Sequence, residues 1–340
     1  MRKLVQLRGV ELDPAARRLA GCHDVAGLRA AARRRIPRPV FDYVDGSADE
    51  ELTAAANVAA FRRWRFRPRV LADVSAAETS ASLFGSALPA PLALAPTGYT
   101  RMMHPDGELG VARAAARHGL PYALSTMATT GLEEVVGSAG GTLWFQLYLL
   151  RDRERAYALV DRAAAAGYRA LMVTVDTVVA GNRVRDSRNG LTIPPSLSPG
   201  TVASVAVKPG YWLRLLAGPP VDFAHFPGEG QNTNAGMALF FDPGICWRDI
   251  GELRQRWPGP LILKGPLGPA DAHRAVDAGV DAIQLSNHGG RQLDRCVATA
   301  DLIAPVRVSH PRYALSTSAL FPPSPLPPSP SPPLSPRLPG

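Results

Sequence analysis

Cysteine is scarce, and the three present exclude several chemistries. Cys22, Cys246 and Cys296 are spread over 340 residues and fit neither a metal-ligand nor a Cys-x-x-Cys redox spacing. Thiols without a pairing pattern point to a reducing compartment, so a cytoplasmic chain is expected. Long apolar runs are missing as well, and no stretch approaches the roughly eighteen residues of a membrane-spanning helix. The opening MRKLVQLRGVELDPAARR has basic residues but no apolar core, so no secretory signal is expected. Neither G-x-G-x-x-G nor G-x-x-x-x-G-K-[ST] follows an apolar run, which sets aside a nicotinamide-binding sheet and a P-loop.

The chain is otherwise globular in composition, with 46% hydrophobic and 20% charged residues. Its net charge of +9 comes mostly from arginine and suits an anionic substrate, a phosphate cofactor or an acidic membrane surface. The runs RRRIPR and FRRWRFRPR read as solvated helix faces. No basic stretch is interleaved with a nucleic-acid motif, so nucleic acid is not an expected partner.

Residues 22 to 62 read as helical, with a break at Pro37. From residue 90 onward short apolar runs alternate with helix-like segments. The strand candidates are PLALAP, LPYALS, LWFQLY, ALMVTVD, PLILKG and AIQLS. Segments such as HPDGELGVARAAARHG and RDRERAYALVDRAAAAG lie between them and end in glycine, as helix C-termini commonly do. Continuous apolar strands alternating with amphipathic helices predict parallel βα units buried on both faces. The expected fold class is α/β, of the (β/α)8 TIM-barrel type. The proline- and glycine-rich stretch from about 187 to 245 breaks the rhythm and reads as a lid or attachment surface. Within it, YWLRLLAG suggests peripheral membrane contact through residues 205–220, on the inner face.

The strands end in polar residues: Thr97, Ser125, Gln146 and Tyr148, Thr174 and Asp176, Lys264, Ser286 and His288. In a barrel such ends converge on one site. Arg183 and Arg291 offer planar donor forks suited to a carboxylate. His288, three residues before Arg291, is a candidate general base, and Asp176 a candidate partner that orients it. Tyr43 and Tyr148 can supply hydroxyl donors. Singly, His288 reads as a structural histidine, Asp176 as a cap and Lys264 as a loop charge. Jointly, Ser125, Gln146, Thr174, Lys264 and Ser286 form a polar ring that a planar polar cofactor would satisfy.

SNHGGRQLD resembles the signature of the FMN-dependent L-2-hydroxy acid dehydrogenases and oxidases, the family of glycolate oxidase, lactate dehydrogenase and mandelate dehydrogenase. FDYVDGSADEELT, FRPRVL, APTGYTRMMHPDGE, LSTMATT, WFQLY, TVDTVVAGNRVRDSRNG and WPGPLILKG resemble family segments in family order, over roughly residues 22 to 303. The resemblance implies FMN as cofactor and a small 2-hydroxy carboxylate, lactate- or mandelate-like, as substrate. It leaves oxygen, a quinone or a cytochrome open as electron acceptor, and allows a homo-oligomer. It implies His288 as base with Asp176, and Arg183 and Arg291 as carboxylate clamp, helped by Tyr43 and Tyr148. Around the flavin it implies the backbone of Pro96, Thr97 and Gly98, then Ser125, Gln146 and Thr174 on the polar edge. Lys264 would stand near the edge that gains charge on reduction, and Ser286 on the ribityl chain. Nucleotide dehydrogenases of the same barrel type fit less well, because no cysteine sits in a strand-end loop.

Beyond Asp294 the resemblance implies two more βα units, which carry the FMN phosphate site. VATADLIAPVR still resembles the helix before them, whereas VSHPRYALSTSALF and the proline-rich run after it do not. That density of proline forbids helix and central strand alike. The expected organisation is an N-terminal helical extension over 1–21, an incomplete barrel of about six βα units over 22–306, and a disordered tail over 307–340. A frameshifted or mis-joined end is one explanation. A catalytically impaired truncated paralogue, lacking the phosphate site and binding FMN poorly, is the alternative to an active enzyme. A proline tail that engages SH3- or WW-like domains is a third reading.

Overall fold

Strands buried on nearly every residue need cover on both faces, and the apolar runs of this chain's main sheet meet that condition. In a computed structural model, the described residues are 12–190, 199–219, 221–226, 242–309 and 314–316. Four helices come first: α1 (Pro14–Leu19), α2 (Val25–Arg35), α3 (Arg38–Asp45) and α4 (Leu52–Phe61). An antiparallel hairpin follows, β1 (Ala81–Leu83) and β2 (Ser86–Leu88). The main sheet holds β3 (Tyr122–Ser125), β4 (Leu143–Tyr148), β5 (Ala170–Thr174), β6 (Leu261–Lys264), β7 (Ala282–Gln284) and β8 (Ala314–Ser316). These six are parallel and neighbour one another in chain order. Helices α5 (Gly107–Arg117), α6 (Leu132–Ala139) and α7 (Arg153–Ala165) connect the first strands. The long insertion after β5 contributes α8 (Val184–Arg188), α9 (Pro199–Ala206) and α10 (Pro209–Ala217). Helices α11 (Trp247–Arg256), α12 (Pro269–Asp277) and α13 (Ile303–Ser309) complete the outer layer.

The barrel-type arrangement expected from the alternating runs is therefore present, with two layers of packing. Leu124, Phe145, Leu147, Leu171, Val173, Leu261, Leu263 and Ile283 face the helices. The alternate residues Ala123, Trp144, Ala170, Met172, Ile262 and Ala282 form a smaller inner core with Leu83 and Leu88 of the hairpin. The hairpin thus plugs the N-terminal end of the strands, and Phe84 meets Trp144 edge-on at 6.1 Å. With that end filled by apolar groups, the polar ends of the same strands are left at the opposite mouth.

Three expectations need correction, and one element was not expected at all. PLALAP is not a strand: Leu94 alone makes a parallel bridge, to Tyr122, because Pro91 and Pro96 lack the N–H groups that would extend the ladder. Residues 38–61 are two helices, interrupted where Asp49 and Glu51 take left-handed φ of 48° and 64°. The hairpin gave no sequence signal, since two three-residue strands are too short to show periodicity. The barrel was expected to give way to a disordered tail after residue 306. Instead, α13 continues to Ser309, and β8 pairs with β7 from Ala282↔Ala314 to Gln284↔Ser316. The proline-rich run over 317–340 lies outside the described residues.

Leu83 is 2% exposed, whereas its hairpin neighbour Ser82 faces solvent. Leu83→Ala is expected to cost about 2–5 kcal/mol, as large-to-small changes in a core do. Ser82→Ala is expected to stay within about 0.5 kcal/mol. Urea denaturation midpoints of the two variants check this.

Candidate functional site

β7 delivers the chain into a tight left-handed turn. His288, Gly289 and Gly290 have φ of 55°, 67° and 75°. Left-handed backbone costs a side-chain-bearing residue about 1–2 kcal/mol, so His288 must be held there by its contacts. Its N–H donates to Ser286 Oγ at 3.0 Å. Gly290 has a second reason to lack a side chain: a Cβ would lie 2.8 Å from the backbone nitrogen of Ala54 in α4.

The ends of β5, β6 and β7 meet on one carboxylate. His288 Nδ1 lies 2.7 Å from Asp176 Oδ1. Lys264 Nζ donates to Asp176 Oδ2 at 3.1 Å, and Ser286 Oγ donates to the same oxygen at 2.7 Å. Burial alone would push the Asp176 carboxyl up. The His288 hydrogen bond and the Lys264 charge outweigh it and hold the group at about 2. Burial, then the Lys264 ammonium 3.2 Å from Nδ1, lower the His288 pKa despite Asp176. Lys264 itself is lowered by burial against the pull of Asp176. The arrangement favours Nδ1–H donating to Asp176, which leaves Nε2 facing the Tyr148 hydroxyl at 3.4 Å. Burial, then the nearby Asp176 charge, raise the Tyr148 phenol.

Across the mouth, two guanidinium groups share one ring. Arg183 and Arg291 lie 4.9 Å and 5.3 Å from the centroid of Tyr43, on α3. Arg291 also donates to the carbonyls of Gly46 at 2.6 Å and Val44 at 3.2 Å. Arg183 pairs with buried Asp186 at 3.1 Å, a residue that sequence reasoning passed over. Burial raises the Asp186 carboxyl against the pull of both arginines.

One cavity of about 480 Å³ joins these groups, and it is lined by Tyr43, Pro96, Thr97, Gly98, Ser125, Tyr148, Thr174, Arg183, Lys264, Ser286, His288 and Arg291. Of the residues expected at the site, Gln146 and Asp176 stand behind the lining and act on it through hydrogen bonds. Ser125 Oγ donates to Gln146 Oε1 at 3.0 Å, and Gln146 Nε2 donates to Thr174 Oγ1 at 3.0 Å. Gly98 is a close approach: a Cβ there would sit 2.9 Å from Met127 Cβ. Two side chains are more engaged than expected. The hydroxyl proton of Ser286 is directed to Asp176, and Lys264 is tied to Asp176 beside the histidine instead of standing free.

Sequence reasoning missed the residues that fix the turn from outside. Asn57 of α4 exchanges two amide hydrogen bonds with Asn287, at 2.9 Å and 2.8 Å. Asp294 accepts from the backbone N–H groups of Thr53 at 2.7 Å, Glu50 at 3.1 Å and Leu52 at 3.2 Å. Helix α4 has no side-chain cap of its own, so Asp294 caps it from 241 residues away. The backbone hydrogen bond from Thr53 leads in holding the Asp294 carboxyl at about 2. The signal was available: Asp294 closes the stretch that carries His288, and Glu51 is a poor cap residue.

Comparison with known proteins gives a consistent result. The sequence pattern of the FMN-dependent dehydrogenases matches residues 32–314. An L-lactate dehydrogenase of Caulobacter sp. (strain K31) is 45% identical over 280 residues, covering 80% of this chain and 73% of that protein. The monotopic membrane protein (S)-mandelate dehydrogenase superposes with a TM-score of 0.82 at 32% identity, covering 88% of this chain and 82% of its own. A mandelate oxidase with (S)-4-hydroxymandelic acid gives a TM-score of 0.72 at 36% identity, covering 84% and 75%.

Removing the remote cap tests the link between the turn and α4. Asp294→Ala is expected to speed hydrogen exchange of the Glu50, Leu52 and Thr53 amides. Asp294→Asn keeps an acceptor oxygen and is expected to retain most of the protection. Site-resolved exchange by mass spectrometry or NMR distinguishes the two.

Proposed function

The chain belongs to the FMN-dependent dehydrogenase family, and on that premise we propose that its cavity oxidises an L-2-hydroxy acid of the lactate or mandelate kind to the 2-oxo acid. The observation that carries the reading is the pairing of His288 with Asp176 in a cavity that also presents Arg183 and Arg291. The alternative of an impaired paralogue has no comparable support.

In this reading the two guanidinium groups take the substrate carboxylate, since planar forks match it bidentately. Tyr43 and Tyr148 add hydroxyl contacts. That geometry brings the 2-carbon and its hydroxyl towards His288 Nε2, the ring nitrogen not committed to Asp176. Nε2 takes the proton from the 2-hydroxy carbon or its hydroxyl, and Asp176 stabilises the imidazolium that results. Lys264 anchors the carboxylate of Asp176 and adds positive charge close to the floor of the cavity.

The donor set fits the ring and ribityl chain of FMN. Pro96, Thr97 and Gly98 line one wall, and the chain from Ser125 through Gln146 to Thr174 offers polar groups to a planar ring edge. Lys264 supplies charge beside it, and Gln284 lines the same cavity with a buried side-chain oxygen that has no partner among the described residues. When bound, FMN supplies the acceptor for the two electrons that leave the hydroxy acid.

The insertion after β5 suits a membrane surface. No helix among the described residues is long and apolar enough to cross a membrane. Helix α10 nevertheless leaves Leu213 and Leu216 70% and 79% exposed, close to Lys208 and Arg214. Tyr211 of the same helix donates to the carbonyl of Met102 at 2.7 Å, next to Met103 in the cavity wall. We infer a cytoplasmic chain peripheral to an anionic membrane, with residues 205–220 as the contact.

His288→Asn is expected to lower kcat for dye reduction with L-lactate or (S)-mandelate by about a hundredfold to ten-thousandfold. Arg291→Lys is expected to act mainly on KM, raising it about tenfold. The base must be neutral and its pKa lies below that of free imidazole. Rate against pH is therefore expected to fall only below the ordinary imidazole range, and a loss that begins well above neutrality would contradict the assignment. Deleting residues 205–220 is expected to abolish co-sedimentation with anionic vesicles; a full chain that stays in the supernatant would end the membrane reading.

A further inference from the structure

Gln284 is the one polar side chain on the inner face of β7, two residues beyond inward-facing Ala282. The register sets it beside Lys264 of β6 and Ser316 of β8. It is 5% exposed and lines the cavity, yet its side-chain carbonyl oxygen has no hydrogen-bond partner among the described residues. A buried acceptor left unsatisfied is costly to a fold, so such a group calls for an explanation.

The described neighbouring side chains are already occupied. Gln146 is held between Ser125 and Thr174, and Lys264 and Ser286 both donate to Asp176. Neither Lys264 nor Ser286 turns its donor to Gln284. Among the described side chains no donor is left for it, and the cavity that Gln284 lines is where one can arrive.

We propose that Gln284 is a cofactor-binding residue whose carbonyl accepts a hydrogen bond from a ribityl hydroxyl of FMN. The inference rests on the FMN reading of the cavity. FMN carries donors of two kinds, the ring N–H and the ribityl hydroxyls. The chain from Ser125 to Thr174 spans β3 to β5 and suits the polar ring edge. Gln284 lies on the far side of Lys264 from those strands, on the same strand that leads to Ser286. A chain of hydroxyls leaving the ring past Lys264 reaches it.

The test uses the full chain, stripped of flavin and titrated with FMN, riboflavin and lumiflavin, with quenching of flavin fluorescence as readout. Lumiflavin has the ring without the hydroxyls, and riboflavin has the hydroxyls without the phosphate. Gln284→Met keeps the side-chain volume and removes the acceptor. It is expected to weaken FMN and riboflavin by about fivefold and leave lumiflavin unchanged. Without flavin, the variant is expected to melt a few degrees above the unaltered chain, because an unanswered buried acceptor has gone. Gln284→Leu repeats the comparison if the methionine variant folds poorly. Unchanged FMN affinity in the variant, or equal losses for all three flavins, overturns the inference while leaving the FMN reading intact. A flavin-free variant that melts lower also overturns it, since the carbonyl would then have a partner within the fold. If the unaltered chain binds none of the three flavins, the FMN reading fails and the inference falls with it.

Discussion

The carboxylate of Asp176 is the constraint on which the site depends. It follows β5, while Lys264 ends β6 and Ser286 and His288 follow β7, so three adjacent strand ends converge on a single anion. Removing a charge from water is expensive, and it is tolerated here because three donors surround it. The same contacts decide which nitrogen of His288 carries the proton and where the other points. Structure and chemistry are inseparable at this residue. Neutralising Asp176 would leave Lys264 buried beside an imidazole, with no anion to compensate either.

The second half of the site is built by residues that precede the sheet. Arg291 is positioned by the carbonyls of Val44 and Gly46, and its ring partner Tyr43 belongs to α3. The α3 segment is in turn fixed to α8 by Arg185, which bridges Asp45 and Glu51. Asp294 and Asn287 reach the next helix, α4, through its first-turn amides and Asn57. The N-terminal helices therefore act as a brace on the turn. That brace explains how His288 persists at a backbone conformation which glycine would adopt without strain.

What could be read from the sequence follows the physics of each element. Strands β3 to β7 were legible because they are buried on both faces, and continuous apolar runs between helices have few other readings. PLALAP looked the same by composition, but its flanking prolines leave room for a single bridge. The hairpin was invisible because its strands are too short to alternate, although it closes the inner core. At the site, groups that end strands were legible, since the barrel sends every strand end to one mouth. Asn57, Asp186 and Asp294 were not, because a residue that braces another is recognised by its partner. Those partners lie from three to more than two hundred residues away. Gln284 was hidden for a different reason: a polar residue in the middle of AIQLS, with apolar neighbours on both sides, reads as an imperfect strand rather than as a lining group.

The charges of the site also bear on how substrate and base communicate. Arg183, Arg291 and Lys264 together exceed what Asp176 neutralises, and Asp186 is shifted towards its neutral form. An empty cavity is therefore positive, which attracts a carboxylate and disfavours a proton on His288. With a carboxylate seated between the arginines, that surplus falls, and the imidazole gains proton affinity. On the proposed roles, substrate binding moves the base from a lowered pKa towards the working pH, where a general base is most effective. On those roles the arginines proposed to hold the substrate also set the readiness of the histidine, and the two functions cannot be tuned separately by changing a single charge.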